Sequence, residues 1–468
     1  MRQIIAAVTS LTMLALPAMA QQNLSPRIDS IVQQFMQNRQ FSGTVLLAKG
    51  DQLLYHKAYG LADREKGIAN QPTTNFNIAS VGKTYTGALV SLLASHGKID
   101  LQQRFRHYFP EFSSPNLPDN LTIHHLLTHT GGTNNYMEHP DFEAKRRNLK
   151  SINDAMPLVT SMPLSFQPGE RYEYSNSGFV VLGKLIEKVT GLSYPEALQT
   201  YIFKPAGIRN SYLHYPATFN APAEAVPYYV FSQKSLVNAT EDEFPPFSDG
   251  GMQSNVADMW QFGKWLLKQP AAVTGPIWTQ HVPAPHNYGY GWNVETRYDR
   301  MTVGHSGGGH GFSTDFRIVP VAGFIVVVMA NNRTNVRDIT KAMLDLVYTG
   351  TWKGPKPYTS SLLLDAIDRR GFAAVKEELA LALQQGKAPG QRDWIGLIDA
   401  LSQLKRQEDA LALAQLAAAH LTKEGWPLNI AGDLYRQMGR KDLAKEYFQK
   451  ALALEPNNTW TKAQLEKL

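Results

Sequence analysis

Apolar residues at Ile28, Ile31, Val32, Phe35 and Met36 recur at the spacing of one helical face, which predicts a helix over about 26–39 with one buried side. The period then shortens to two. Gly43–Lys49 and Gln52–Tyr59 read as strands joined at Gly50-Asp51, a hairpin signal. An apolar-periodic run from Ser80 to about Ser95 predicts a second helix, stopped at Gly97. From about 100 to 290 short helical pieces alternate with Pro and Gly. The clearest of them carries Trp260, Phe262, Trp265, Leu266 and Leu267 behind a cap at Asn255. Strand-like runs return at Thr302–His305, Thr314–Val319 and Phe324–Ala330, followed by a helix over about 336–348. Strands at both ends of a helical middle predict an α/β fold: one sheet completed by both end segments, flanked by helices and joined to an all-α part. Hairpin-sized loops between the outer strands make that sheet antiparallel.

Gly350 to Pro357 has linker composition, and beyond it the chain turns to Ala, Leu, Lys and Glu with no strand signal. Trp394, Leu397, Ala410 and Ala417 recur 34 residues later as Leu428, Ala431, Ala444 and Ala451. Small residues at these places let paired helices approach closely, and the period is that of the tetratricopeptide repeat. Helices flanking Gly371, at about 360–385, form a poorer third unit. The expected organisation is residues 21–350 as one catalytic-sized domain, a linker over 351–359, and an all-helical repeat domain over 360–468.

Composition narrows the classes. Among 468 residues, 43% are hydrophobic and 18% charged, ordinary values for a folded soluble protein. Residues 1–20 pair one positive charge with a short apolar run and end in Ala18-Met-Ala20, the form of a secretory signal cleaved near Ala20. No apolar run reaches spanning length. Cysteine is absent, which excludes disulfides, thiol catalysis and cysteine-bound metals; export without a disulfide fits a periplasmic (or secreted) protein better than a small stapled extracellular one. Losing residues 1–20 removes Arg2 alone among the charges, so 45 of the 46 basic residues face 40 acidic ones. This mild, scattered excess speaks for solubility and against nucleic-acid binding.

The chemistry centres on Asn77-Ile-Ala-Ser-Val-Gly-Lys-Thr84. Residues three apart share a helix face, so Lys83 stands beside Ser80, and a serine needs such a neighbour to lose its proton. Ser95-x-x-Lys98 and Ser402-x-x-Lys405 fit the same four-residue pattern, so other signals must choose. Tyr174-Ser-Asn176, the only Tyr-x-Asn in the chain, precedes the helical run Val180–Val189. A nearby lysine would favour phenolate at Tyr174, which could then take and return a proton. Asn176 offers a donor and an acceptor to a substrate amide. His305-Ser-Gly-Gly308 ends a strand-like run, and its glycines allow close backbone approach. His129-Thr-Gly131 lacks strand context and reads as structural. Zinc on His124, His125 and His129 is a remote alternative, since no acidic base accompanies them.

The order Ser80-x-x-Lys83, Tyr174-Ser-Asn176, His305-Ser-Gly307 resembles the serine β-lactamase and penicillin-binding protein superfamily, in its class C and D-Ala-D-Ala carboxypeptidase branch. Leu126-Leu-Thr-His-Thr-Gly-Gly132, Gly251-Met-Gln-Ser254 and Gly289-Tyr-Gly-Trp292 support it, and the resemblance covers about residues 25–350. It implies Ser80 as acylated nucleophile, Lys83 as its activating amine and Tyr174 as general base, then acid. Asn176 would hold the acyl side chain, and His305 and Gly307 would lie along the substrate. Backbone N–H groups of Ser80 and Gly308 would form an oxyanion hole, each donor worth on the order of a hundredfold or more in rate. It implies no cofactor and no metal. Where the β-lactamases carry a lysine, His305, with a reference pKa near ~6.5, would be only partly charged, weakening the pull on a substrate carboxylate. The readings left open are an exported hydrolase of D-amino-acid peptides, β-lactams or esters; an esterase on substrates without a carboxylate; and a protein-binding module whose repeat docks a protein partner.

Overall fold

The computed structural model describes residues 24–37, 41–110, 114, 117–213, 224–230, 236–240, 245–355, 359–387 and 389–468. The signal-like residues 1–20 and linker residues 356–358 lie outside these ranges. Helix α1 (Leu24–Gln37) leads into the hairpin β1 (Gly43–Lys49) and β2 (Gln52–Tyr59). Four further strands, β3 (Asn293–Arg297), β4 (Arg300–Gly309), β5 (Phe312–Val319) and β6 (Phe324–Ala330), arrive much later in the chain. They complete one antiparallel sheet in the order β2-β1-β6-β5-β4-β3. The closing contact is β1 on β6, in register from Gly43 opposite Ala330 to Lys49 opposite Phe324.

Alternation along these strands serves two cores. Val45, Leu47, Val326 and Val328 pack outward with α1 and with α7 (Val336–Thr349). Leu46, Ile325, Val327 and Met329 face inward to the helices. Because β6 is covered on both sides, all seven of its residues are buried and its sequence is a continuous apolar run rather than an alternating one. The inner layer contains α2 (Gly82–Ser95), α3 (Ile152–Ser161), α4 (Asn176–Thr190), α5 (Val256–Leu267) and α6 (Ala271–Trp278). Helix α2 is buried from Gly82 to Leu93 on every side, the expected fate of a helix without a polar face. Among the described residues no helix is long and apolar enough to cross a membrane.

Two boundaries differ from expectation. Strand β4 runs through the whole His305–Gly309 segment, because each of its residues from Val303 onward pairs with β5. Strand β3 was not expected. It is a five-residue edge strand, Asn-Val-Glu-Thr-Arg, with one buried residue and therefore little apolar alternation.

Beyond the sheet, seven helices among the described residues run from α8 (Thr359–Arg370) and α9 (Phe372–Gln384), through α10 (Gln391–Gln403), α11 (Gln407–His420), α12 (Trp426–Gln437) and α13 (Lys441–Leu454), to α14 (Thr459–Glu466). A third apolar cluster joins them, with the repeat residues Trp394, Leu397, Ala410, Ala417, Ala431 and Ala444 fully or almost fully buried. Gly432 adds a further close approach between α12 and α13: a Cβ there would lie 2.8 Å from the Phe448 ring, which would have to shift.

Candidate active site

Ser80 sits in a short 3₁₀ turn, Ala79–Val81, that runs directly into α2. The turn is shaped by Ala79, whose φ of 45° lies in the left-handed region that costs a residue with a side chain about 1 kcal/mol. Its N–H donates to the Asn77 side chain (2.9 Å), which holds the bend. Strand β4 crosses behind it so closely that a Cβ on Gly307 would lie 2.2 Å from the Ile78 carbonyl oxygen. The glycine of the third motif is thus a matter of space.

Lys83, 0% exposed, lies one turn along α2. Its Nζ donates to three acceptors: the Asn176 side-chain oxygen (2.6 Å), the Asp249 backbone carbonyl (2.5 Å) and Ser80 Oγ (3.3 Å). Burial disfavours the ammonium and lowers its pKa to about 8, although the Asp249 carboxylate opposes the fall. An amine so placed is about one-tenth unprotonated at pH 7 and within reach of the Ser80 proton.

Tyr174 lies in the extended segment before α4, which Ser175 caps by accepting from the Gly178 N–H. Its ring covers Lys83 Nζ at 4.9 Å, and the Ser80 side chain favours its ionised form, though less than burial opposes it. Tyr174 as a whole residue is 38% exposed, and burial of its hydroxyl raises the phenol above its usual pKa. The expectation that Lys83 would favour phenolate is therefore not met: desolvation is the largest influence on this hydroxyl. Asn176, at the first turn of α4, is held at both ends of its amide, by Lys83 and by the Asn135 side-chain oxygen (3.3 Å).

His305 departs furthest from expectation. It is 5% exposed on β4, and burial, helped by the Lys83 charge, lowers its pKa to about 3. It is neutral at pH 7, not partly charged. Ser306 points to the opposite face of the sheet, where its hydroxyl donates to Asp315 (2.7 Å) and accepts from Arg317 (2.9 Å).

A cavity of about 90 Å³ unites the motifs, lined among others by Ser80, Asn176, Gly308, Asp249, Met137 and Phe312. Gly308 and Ser80 thus border one space, as their expected backbone role requires. Asp249 was not singled out in the sequence; it is a single carboxylate in a loop, and no spacing marks it. Thr86 and Ser248 fasten that loop, Thr86 donating to the Ser248 carbonyl (2.5 Å) and Ser248 to the Phe179 carbonyl (2.8 Å). The three histidines considered for zinc go to separate partners, His124 to the Tyr290 hydroxyl and His129 to Ser175 and Tyr288.

The fold and sequence are similar to those of known proteins. The Beta-lactamase family model matches residues 28–349, and a tetratricopeptide repeat model matches residues 428–458. Penicillin-binding protein 4* of Bacillus subtilis is 27% identical over 313 residues, covering 63% of this chain and 68% of its own. A penicillin-binding protein structure from Bacillus halodurans superposes with a TM-score of 0.62 at 28% identity, covering 68% of this chain and 98% of its own. D-amino acid amidase from Ochrobactrum anthropi shares the fold at 20% identity, with a TM-score of 0.61 over 69% of this chain and 99% of its own. The chain spans 62% to 68% of the length of the curated relatives it matches. With one family's model covering the sheet, the helical layer and all three motifs, this chain belongs to the beta-lactamase family.

Proposed function

We propose that this protein is an exported serine hydrolase that forms an acyl-enzyme on Ser80, acting on D-amino-acid peptides or related amides and esters. The observation that carries the reading is Lys83, fully buried with three acceptors, one of them Ser80 Oγ, and with its amine lowered to about 8. In the unprotonated fraction, Lys83 takes the Ser80 proton as Oγ bonds to the acyl carbon. The bond to the leaving group breaks as Tyr174, a neutral phenol whose ring covers Lys83 Nζ, protonates that group; the lysine ammonium then restores the phenol. Water cleaves the acyl-enzyme and releases the acid. Ser80 and Gly308 N–H groups stabilise the oxyanion in this scheme, while Asn176 orients both Lys83 and the acyl chain. Residues 1–20 support a periplasmic or secreted location, and the helical repeat supports a protein partner.

A second reading, an esterase acting on substrates without a carboxylate, is favoured by the neutral state of His305. The mechanism is tested with a fluorophosphonate, which should label the protein covalently at Ser80. Equal labelling of Ser80→Ala overturns it.

A further inference from the structure

Outside the Ser80–Lys83–Tyr174 group, a run of buried polar side chains crosses from the helical layer to the sheet. The Ser175 N–H donates to His129 Nδ1 (3.1 Å). His129 Nε2 lies 3.2 Å from the Tyr288 hydroxyl, and the same hydroxyl lies 3.0 Å from His305 Nε2. His305 Nδ1 lies 2.6 Å from the Ser306 carbonyl oxygen.

The two ends fix the direction of the whole run. A backbone N–H can only donate, so His129 Nδ1 is an acceptor and the ring proton sits on Nε2. A carbonyl can only accept, so His305 carries its proton on Nδ1 and leaves Nε2 as an acceptor. Tyr288 then accepts from His129 and donates to His305, and every polar atom along the run is satisfied with both imidazoles neutral. Adding a proton to His305 Nε2 would turn the Tyr288 O–H away from its partner inside the core, an orphaned donor that structures avoid.

A second observation points the same way. His129, 2% exposed, has a φ of 58°, a left-handed conformation that histidine enters more readily than most residues with a side chain but that still costs energy. Such strain persists only where the surroundings over-determine it, and it gathers at functional sites. Here it sets the His129 ring against Tyr174, with centroids 4.3 Å apart, and against Tyr288 at 4.8 Å.

We infer that His129 and Tyr288 are positioning residues whose hydrogen bonds tie the Tyr174–Asn176 segment to β4 and fix His305 as an uncharged group behind Gly308, which borders the Ser80 cavity, so that His305 offers a substrate carboxylate no cation. This inference rests on the proposed acyl-enzyme function and narrows its substrates to amides and esters with an uncharged leaving group. The charges acting on His305 come from Lys83 on α2, Arg317 on β5 and Arg337 on α7, all cationic, while Tyr174, Tyr288 and His129 pack near it as neutral rings.

The test uses the full chain labelled with ¹⁵N-histidine, with His129→Gln and His305→Gln to assign signals. Long-range ¹H–¹⁵N correlations should show His305 as the Nδ1–H form and His129 as the Nε2–H form, neither titrating down to pH 5. A His305 proton on Nε2, or titration near its ordinary value, overturns the inference without touching the Ser80 reading. In kinetics, a D-alanyl-D-alanine peptide should be cleaved no better than its C-terminal amide. A preference of about tenfold or more for the free carboxylate overturns the substrate class. Tyr288→Phe should lower kcat at least about tenfold with KM within about threefold. If only its melting temperature falls while kcat holds, Tyr288 is merely structural and the positioning role is lost.

Discussion

Replacing Lys83 by methionine, a similar volume without a charge, should change how stability depends on pH in a way that isolates this one buried amine. The fold lowers its pKa from 10.5 to about 8, a bias against the ammonium of ~3 kcal/mol at 1.36 kcal/mol per unit. Below pH 8 the lysine is protonated in both folded and unfolded chains, and the folded protein carries the whole cost. Between pH 8 and 10.5 the unfolded chain binds more protons than the folded one, so wild-type stability rises with pH through that window. The variant lacks this group and its stability does not rise on that account. Every other titrating group is common to both proteins and largely cancels in the difference. The stability of Lys83→Met relative to wild type should therefore be most favourable at pH 7 and decline by ~2 kcal/mol at pH 9.5. The methionine also leaves the Asp249 carbonyl and Asn176 oxygen without a donor, a loss of about 1–3 kcal/mol that offsets the gain almost equally at both pH values. Urea unfolding of the full chain at the two pH values gives the difference. A gap constant within ~0.5 kcal/mol, or one that widens in favour of the variant at high pH, would refute the reasoning.

The same amine sets the rate. Because the unprotonated form is the base, kcat/KM should climb about tenfold per pH unit up to about 8 and level off above it, and a flat profile from pH 6 to 8 removes Lys83 from that role. Gly307→Ala places a methyl group 2.2 Å from the Ile78 carbonyl oxygen, so β4 or the Ser80 turn must move. Fluorophosphonate labelling should slow at least about tenfold at a cost of ~1–3 kcal/mol in stability, and wild-type labelling would show that the contact is slack. Deleting residues 357–468 should leave hydrolysis of a small ester within about twofold, since those helices share a core of their own. Loss of that activity would instead join the repeat to the catalytic unit.

Local features of the site were legible in the sequence because they depend on residues near one another in the chain. Ser80 and Lys83 lie one helical turn apart, and the Ala and Gly positions of the 34-residue repeat record how closely α12 and α13 pack. The charge states were not legible. Tyr174 looked ready to ionise beside a lysine, yet desolvation of its hydroxyl prevails. His305 reads from the sequence as partly charged, yet its state is set by Tyr288 and by burial. Residue spacing does not carry the dielectric surroundings of a group. His129 read as a structural histidine for the same reason, since its partners Ser175 and Tyr288 come from distant parts of the chain. Asp249, too, shows its importance only once its carbonyl is seen to reach Lys83.

The pairing of β1 with β6, Gly43 opposite Ala330, has a consequence for the order in which the molecule is made. During synthesis the amino-terminal hairpin, complete at Tyr59, has no partner on its β1 side until the chain has been made as far as Phe324–Ala330. Contacts of such long sequence separation form late, since chain closure must be achieved before they add stability. The nascent chain therefore carries an unpaired, apolar β1 edge for most of its elongation, a surface prone to association with other chains. The turn that holds Ser80 leans on β4, from the far side of the same gap. No truncated product ending before β4 can present a formed catalytic pocket, and reactivity is withheld until the last strands arrive.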